Sequence, residues 1–202
     1  MSSRGLSEQE LLEAVEYYGK RLKVYSKEGY PVEYAGAQYN LGNAYLALAE
    51  FRDREANLKL AIKACEEALT IYNDRTAFPT EYAETQNSLG AAYWNLAEIE
   101  DKEKNLKLVT KAYKDALTIF LKEMFPTDYA MAQNKLGTAY RTLAEIEDKK
   151  ANLKLASKAY KEALTIFTKD SNPELYEEMK ENLKACKIPI HRKIANFLRR
   201  VV

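Results

Sequence analysis

The chain has 202 residues, of which 30% are charged and 47% hydrophobic, with 31 basic residues against 30 acidic ones. This balance excludes a disordered tail, and it excludes a chain that binds polyanions through overall positive charge. Only 7 glycines and 5 prolines leave too few turn formers for a protein of many strands. The composition therefore favours a helical protein.

The sequence predicts a cytoplasmic protein that does not insert into a membrane. Its N-terminus has no apolar run typical of a signal peptide, and its longest uncharged stretch, residues 35–49, is too short and too polar to span a bilayer. Cys65 and Cys186 lie far apart and form no CxxC motif. We expect both thiols to fill the core of a protein in a reducing compartment.

A segment of about 47 residues occurs three times, which indicates a repeat architecture. Its first half is YAGAQYNLGNAYLALAE at 34–50, YAETQNSLGAAYWNLAE at 82–98 and YAMAQNKLGTAYRTLAE at 129–145. Its second half is NLKLAIKACEEALTIY at 57–72, NLKLVTKAYKDALTIF at 105–120 and NLKLASKAYKEALTIF at 152–167. The repeats are placed at 31–78, 79–125 and 126–172.

Each repeat has the pattern of two amphipathic helices, A and B, each of about 20 residues and roughly 30 Å. Helix A is predicted to begin at a proline, where the missing N–H costs no hydrogen bond: Pro31, Pro79 and Pro126. Helix B follows an aspartate that we expect to act as an N-cap or first-turn acid: Asp53, Asp101 and Asp148.

Partial repeats are predicted at both ends of one repeat domain, residues 8–187. After a tail at 1–7, the half repeat 8–30 holds one helix B, opened by a capping box from Ser7 to Glu10. Residues 173–187 match helix A, and a short helix from His191 lies within 188–202. The whole chain is thus predicted to be all-α with about nine helices.

These motifs resemble the tetratricopeptide repeat family. Its helix A pattern Leu-Gly-x-x-Tyr stands at 41–45, 89–93 and 136–140, and its helix B pattern at 109–116 and 156–163. Cys65 replaces the helix B aromatic in repeat one, and the repeat is longer than the usual length of about 34 residues. The resemblance implies a long-period, right-handed α-solenoid of stacked antiparallel helix pairs, whose helix A residues line a concave groove for peptides or helices of partner proteins.

One face of each helix A, counted at 100° per residue, is the predicted groove. A different face of helix A holds glycines that are expected to let helix B approach closely and tyrosines that fill the same interface: Gly42, Gly90, Gly137, Tyr45, Tyr93 and Tyr140. The predicted ligand-binding residues are Tyr39, Asn40, Asn43, Leu46, Glu50, Asn87, Ala91, Trp94, Glu98, Asn134, Thr138, Arg141 and Glu145.

Three features of this stripe each have two interpretations. The asparagines form a ladder that bonds a peptide backbone, or they bridge neighbouring helix A backbones. Trp94 is a binding hot spot or packs between repeats. The glutamates accept a basic group of the partner, or they pair with a turn residue such as Arg54 or Lys102.

No catalytic, metal or cofactor site is predicted. His191 is the single histidine and is expected to be solvated, and the glycines form no nucleotide-binding motif. Some members of this family bind the acidic tail of a partner protein through Lys, Arg or Asn side chains at fixed positions of successive A helices. At those positions of this sequence, only Asn43 and Lys135 are residues of these types. We therefore expect a neutral or basic protein partner rather than an acidic one.

The C-terminal segment 180–202 has a net charge of +6, from seven basic residues and one acidic one. Its apolar residues from Ile190 to Val201 have helical spacing. The segment is interpreted as a capping helix; a membrane-surface contact, a nucleic-acid contact and self-association are its alternatives. The sequence as a whole predicts a non-enzymatic interaction scaffold, and the alternative is a structural repeat protein that self-associates through its ends. A nucleic-acid partner is not expected.

Overall fold

The computed structural model describes residues 6–187, which form eight α-helices and no strand. In chain order the helices are α1 (Glu8–Val24), α2 (Pro31–Leu48), α3 (Arg54–Tyr72), α4 (Pro79–Leu96), α5 (Lys102–Ala116), α6 (Pro126–Leu143), α7 (Lys149–Ala163) and α8 (Pro173–Ala185). The predicted all-α fold is confirmed. The ninth helix, predicted after His191, lies outside the described residues.

The chain divides into two compact units, residues 1–124 and 125–202. In the first unit, α1 to α4 each pack against the next helix along the chain, and in the second unit α6 packs on α7 and α7 on α8. Packing of successive helices is the stacking pattern of an α-solenoid. The division falls at the predicted boundary between the second and third repeats, while the single repeat domain at 8–187 stays a prediction.

The predicted starts of the A helices are confirmed. Helices α2, α4, α6 and α8 each have a proline as their first residue. A proline restricts the residue before it to non-helical backbone, and the preceding Tyr30, Phe78 and Phe125 are indeed outside the helical region. The proline therefore determines where each of these helices begins.

The predicted capping box at the start of α1 is also present. The backbone N–H of Ser7 donates to Glu10 Oε2 at 2.7 Å, and the backbone N–H of Glu10 donates to Ser7 Oγ at 3.3 Å. These bonds satisfy a backbone donor at the cap and one in the first turn, neither of which has an acceptor within the helix.

The predicted N-cap position of the aspartates before the B helices is confirmed, but their side chains make no capping hydrogen bond. None of their carboxylates accepts a helix N–H group, and all three residues have left-handed backbone, with φ of 43° at Asp53 and Asp101 and 38° at Asp148. Aspartate tolerates this conformation better than most residues. Its contribution is therefore to the sharp corner between helix A and helix B.

A buried asparagine one turn into each B helix ties this corner down. The Nδ2 group donates to the backbone carbonyl of the residue just before the aspartate, at 2.8–2.9 Å. The pairs are Asn57 with Arg52, Asn105 with Glu100, and Asn152 with Glu147. Each amide therefore satisfies a carbonyl that the turn removes from regular helix bonding. These asparagines belong to none of the motifs that predicted the helix ends.

The predicted close approach of helix B to the helix A glycines is confirmed. A Cβ atom built on Gly90 would lie 3.0 Å from the ring of Tyr113, and one built on Gly137 would lie 2.9 Å from the ring of Tyr160. In repeat one, a Cβ on Gly42 would lie 2.8 Å from Cys65 Sγ and 3.2 Å from the Ala61 carbonyl oxygen. A side chain at any of these glycines would require the facing atoms of helix B to shift.

The predicted length of about 20 residues is too long for α5 and α7, which have 15 residues each. Beyond Ala116 the chain tightens, and the N–H of Ile119 donates to the Ala116 carbonyl at 3.0 Å in a three-residue turn. The same step follows Ala163, where the N–H of Ile166 donates to its carbonyl at 3.1 Å. Three-residue turns at helix ends are a common way to satisfy the last carbonyls.

Replacing Gly137 with alanine is expected to destabilise the protein by about 1–3 kcal/mol, because the new methyl group meets the fully buried Tyr160 ring. Gly19 is the matched control, since a Cβ there has no atom within 4 Å. Gly19→Ala is expected to stabilise α1 by up to about 1 kcal/mol through helix propensity. Urea unfolding followed by circular dichroism measures the free energy of unfolding of both variants. An equal change in that free energy for Gly137→Ala and Gly19→Ala would contradict the packing argument.

Asn105→Ala is expected to cost about 1–3 kcal/mol, because the Glu100 carbonyl then loses its hydrogen bond at a part-buried corner. Asn40→Ala provides the comparison. Its amide donates at 2.7 Å to the Gly36 carbonyl, four residues back in the same helix, where regular helix bonding already uses that oxygen. The Asn40 variant should therefore lose well under half as much stability in the same urea titration.

Candidate protein-binding surface

The predicted groove residues lie on α2, α4 and α6 or just after these helices, and their exposure varies. Four are exposed: Glu50, Asn87, Glu98 and Glu145. Eight are half-buried: Tyr39, Asn40, Asn43, Leu46, Ala91, Trp94, Thr138 and Arg141. Asn134 alone among them is buried, at 4% exposure. The stripe is thus a partly open surface rather than a uniform line of exposed side chains.

In the first unit, α2 and α4 bring side chains of the predicted stripe together with residues that sequence analysis did not select. The half-buried Tyr39 hydroxyl lies beside Asn43 of its own helix and beside Glu84 and Ser88 of α4. Burial raises the pKa of Tyr39, Glu84 raises it further, and hydrogen bonding with Asn43 and Ser88 lowers it. Tyr39 therefore stays a neutral hydroxyl that both donates and accepts hydrogen bonds.

Near the ends of these helices, Arg54 connects repeat one to repeat two. Its Nη2 atom lies 2.6 Å from Glu98 Oε2 and donates to Asn95 Oδ1 at 3.2 Å. Glu98 thus has the turn-residue partner that one of our two interpretations named. Both side chains are about half exposed, so the pair contributes little to stability. A partner segment that competes for Glu98 would lose little by displacing Arg54.

A half-open cavity of about 350 Å³ lies at the same end of the surface. Its lining residues are Leu46, Ala49, Glu50, Arg54 and Asn95. Apolar carbon from Leu46 and Ala49 lies next to the Glu50 carboxylate and the Asn95 amide. This combination suits a side chain with an apolar stem and a polar or basic end.

Apart from Arg54, the charged side chains of this surface are carboxylates. Helices α2 and α4 contain Glu33, Glu81 and Glu84 and neither lysine nor arginine. Two more carboxylates, Glu50 and Glu98, follow directly after them. We call the surface made by Tyr39, Asn43, Leu46, Glu50, Glu84, Ser88, Asn95 and Glu98 the α2–α4 surface.

A simple helical spacing would have found the missed residues on α4. Glu84, Ser88, Ala91 and Asn95 follow one another at intervals of 4, 3 and 4, the same spacing as the predicted stripe of α2. The predicted stripe on α4 instead started at Asn87, because Asn87 aligns with Tyr39 of repeat one. In the structure the Asn87 side chain is exposed. Because Tyr39 contacts Glu84 and Ser88, the stripe that begins at Glu84 is the one that lies beside α2.

The predicted asparagine ladder does not form from equivalent amides. Asn40 donates to Gly36 within its own helix, so it does not bridge to a neighbouring backbone. Asn87 is exposed, whereas Asn134 at the aligned position is buried with its Oδ1 atom unbonded within the described residues. The three amides therefore cannot make one repeating contact to a bound peptide backbone.

In the second unit, two stripe residues of α6 have partners within the fold. The Tyr160 hydroxyl donates to Thr138 Oγ1 at 3.1 Å. Arg141 lies close enough to Tyr160 and Cys186 to lower the pKa of each, although burial raises both pKa values overall. These contacts therefore help to fix α6 against the helices that follow, while two buried polar atoms of α6, Asn134 Oδ1 and Arg141 Nε, have no hydrogen-bond partner within the described residues.

Both cysteines are buried, as predicted for core residues. Cys65 is 1% exposed, and burial, with a smaller contribution from Glu66, raises the pKa of its thiol from 9.0 to about 12. Burial also raises the pKa of Cys186. A nucleophilic cysteine needs the thiolate form near neutral pH, so this environment is the opposite of an activating one.

Within residues 6–187, no group of three His, Cys, Asp or Glu side chains is arranged to hold a metal ion. None of the helices described there is long and apolar enough to cross a bilayer. No protein-family model matches the chain, and no curated protein or solved structure matches it either.

Stability is expected to fall above pH 9, because the folded protein keeps the Cys65 thiol protonated up to about pH 12 while the unfolded chain ionises near 9. The contribution is present below pH 9 and is lost at about 1.4 kcal/mol per pH unit above it. Cys65→Ala removes this titration. The stability gap between the wild type and the variant should narrow between pH 9 and 11 in urea titrations, and a constant gap would contradict the assignment.

Proposed function

We propose that this chain is a non-enzymatic interaction module of the tetratricopeptide repeat type that binds a segment of a partner protein in the cytoplasm. The observation that supports this most is the α2–α4 surface. It combines a half-buried tyrosine hydroxyl, a half-open cavity that Arg54 also lines, and three carboxylates, of which Glu84 lies on α4 and Glu50 and Glu98 follow the ends of α2 and α4. Such a surface is suited to recognition rather than to bond making.

The repeat motif supports the family assignment. The glycine of each Leu-Gly-x-x-Tyr motif contacts helix B through the side chain that the helix B pattern places there: Cys65, Tyr113 or Tyr160. The motif residues thus act in the packing role that the resemblance implies for them. Membership in the family remains a proposal that depends on this motif and on the stacking of successive helices.

The chemistry of the surface favours a neutral or basic segment. Glu50, Glu84 and Glu98 lie along its length, and a bound lysine or arginine could replace the solvent around them or the weak partner Arg54. Helices of 18 residues are about 27 Å long, which matches roughly eight residues of extended peptide. The polar side chains of Tyr39, Asn43 and Ser88 can then bond its backbone.

We expect a phage library of random dodecapeptides, panned on the full chain, to yield peptides of zero or positive net charge. Binding of the synthesised peptides should change the emission of Trp94, the single tryptophan, which lies on α4. Glu84→Lys should weaken the strongest peptide at least about tenfold, which corresponds to about 1.4 kcal/mol. Tyr39→Ala should weaken it as well, through the lost ring and hydroxyl.

Glu103→Lys is the matched control because it makes the same charge change on α5, where the half-exposed Glu103 pairs with Lys107 and is not part of the α2–α4 surface. It should leave peptide affinity within about twofold of the wild type, a difference of less than about 0.5 kcal/mol. Enrichment of acidic peptides, or equal affinity of the Glu84 and Glu103 variants, would contradict the proposal.

A further inference from the structure

Helix α1 is a helix B without a helix A of its own among the described residues. In repeats two and three, the helix B aromatic is almost completely covered by the preceding helix A, with 3% exposure at Tyr113 and 0% at Tyr160. The aligned residue of α1, Tyr18, is only half-buried. Within residues 6–187, one flank of α1 therefore lacks the helix A that covers every other helix B.

The positions on this flank differ systematically from the repeats. Each of the other B helices has two buried alanines where helix A packs: Ala64 and Ala68, Ala112 and Ala116, Ala159 and Ala163. Ala68, for example, belongs to one buried cluster with Ala35 of its own helix A. The aligned residues of α1 are Tyr17 and Arg21, and Tyr17 is 54% exposed. A helix of the repeat type cannot approach α1 as closely as it approaches an alanine pair.

Tyr17 and Arg21 form an ordered cluster on this flank. The Arg21 guanidinium donates to the Tyr17 and Tyr25 hydroxyls at 3.1 Å each and lies over both rings, 5.6 and 4.8 Å from their centres. Tyr17 is exposed and Arg21 is half-buried. Tyrosine and arginine side chains that the fold already holds in place lose little entropy on binding, and both are enriched at interface hot spots.

The charges of the flank change sign along the helix. Residues 10, 13, 17, 21 and 24 share one face of α1, at intervals of 3, 4, 4 and 3. Glu10 and Glu13 lie on the N-terminal side of Tyr17, and Arg21 lies on its C-terminal side. Tyr17 is next to the midpoint of the helix. When a second copy of the helix lies antiparallel to the first, the acidic half of each copy therefore lies opposite the basic half of the other.

We propose that this flank of α1 binds the same flank of a second copy of the chain, with the two helices antiparallel about a two-fold axis near Tyr17. In this arrangement Glu13 of each copy lies opposite Arg21 of the other, and the two tyrosines meet at the centre. A parallel pair would instead place like charges opposite each other. Two-fold pairing of one surface with itself is the commonest form of self-association.

A contact along one 17-residue helix, about 25 Å long, is smaller than a standard protein interface. The dimer is therefore expected to be weak and reversible, with a dissociation constant in the micromolar range. This contact is distinct from the α2–α4 surface, so the proposal goes beyond the proposed function and does not depend on it.

Sedimentation velocity of the full chain, from about 5 to about 500 µM, tests the pairing across this affinity range. The wild type should move from monomer to dimer as the concentration rises. Glu13→Arg should remain monomeric because two arginines then face each other, and Arg21→Glu should remain monomeric because two glutamates do. An equimolar mixture of the two variants should dimerise again, since each then presents the charges that the other lacks.

Glu16→Arg is the control, because Glu16 is exposed on α1 but does not belong to the face formed by residues 10, 13, 17, 21 and 24. Its carboxylate pairs with Lys20. It should dimerise like the wild type. Recovery of the dimer in the mixture also shows that both variants keep α1 folded. A wild type that stays monomeric throughout, a dimer that neither charge variant weakens, or a mixture that stays monomeric would each overturn the proposal.

Discussion

The backbone of each helix A has to come into contact with its own helix B, and the rest of the repeat follows from this requirement. A glycine at the contact leaves space that a thiol or a tyrosine ring of helix B fills at Gly42, Gly90 and Gly137. Alanines beside that ring keep the two helices close along their length. With the apolar side chains used in this way, the polar side chains of helix A remain for the opposite face, which includes the α2–α4 surface.

The corner between the helices serves the same contact. Left-handed backbone at an aspartate turns the chain within a few residues, and the buried asparagine holds the turn by its carbonyl. Because all three corners have the same conformation and the same bond, the three helix pairs meet in the same register. The repeated sequence thus specifies a repeated geometry and not merely a repeated pattern of helices.

Features that depend on a few neighbouring residues were predictable from the sequence. The proline starts and the capping box at Ser7 belong to this group, since each follows a local rule of helix chemistry. The glycine contacts join two helices, and they were predictable because the same motif occurs in all three repeats. The left-handed aspartates and the asparagine bonds were not predicted, because they depend on a backbone conformation that the residue types only permit. The ends of α5 and α7 at Ala116 and Ala163 were not predicted either, because the hydrophobic pattern of the sequence continues beyond these residues.

The binding surface was predictable only in part, for a different reason. Helical spacing placed Tyr39, Asn43, Leu46 and Glu50 on one face of α2, and the structure keeps them partly open. Spacing along a helix does not show which neighbour covers which face, so Asn87 and Asn134 were treated alike although one is exposed and the other buried. Charge is also unevenly divided: α5 and α7 carry five lysines each, while α2 and α4 carry none. The net charge of +1 therefore conceals an acidic surface on α2 and α4.

The two buried thiols are distributed one to each compact unit, Cys65 in the first and Cys186 in the second. A reagent reaches either sulfur only when the helices around it separate, so the alkylation rate of each cysteine measures how often its own unit opens. Mass spectrometry of the two modified peptides would follow both units in one sample. Equal rates would indicate that the array opens as a whole, and unequal rates would give the difference in local stability between its two parts.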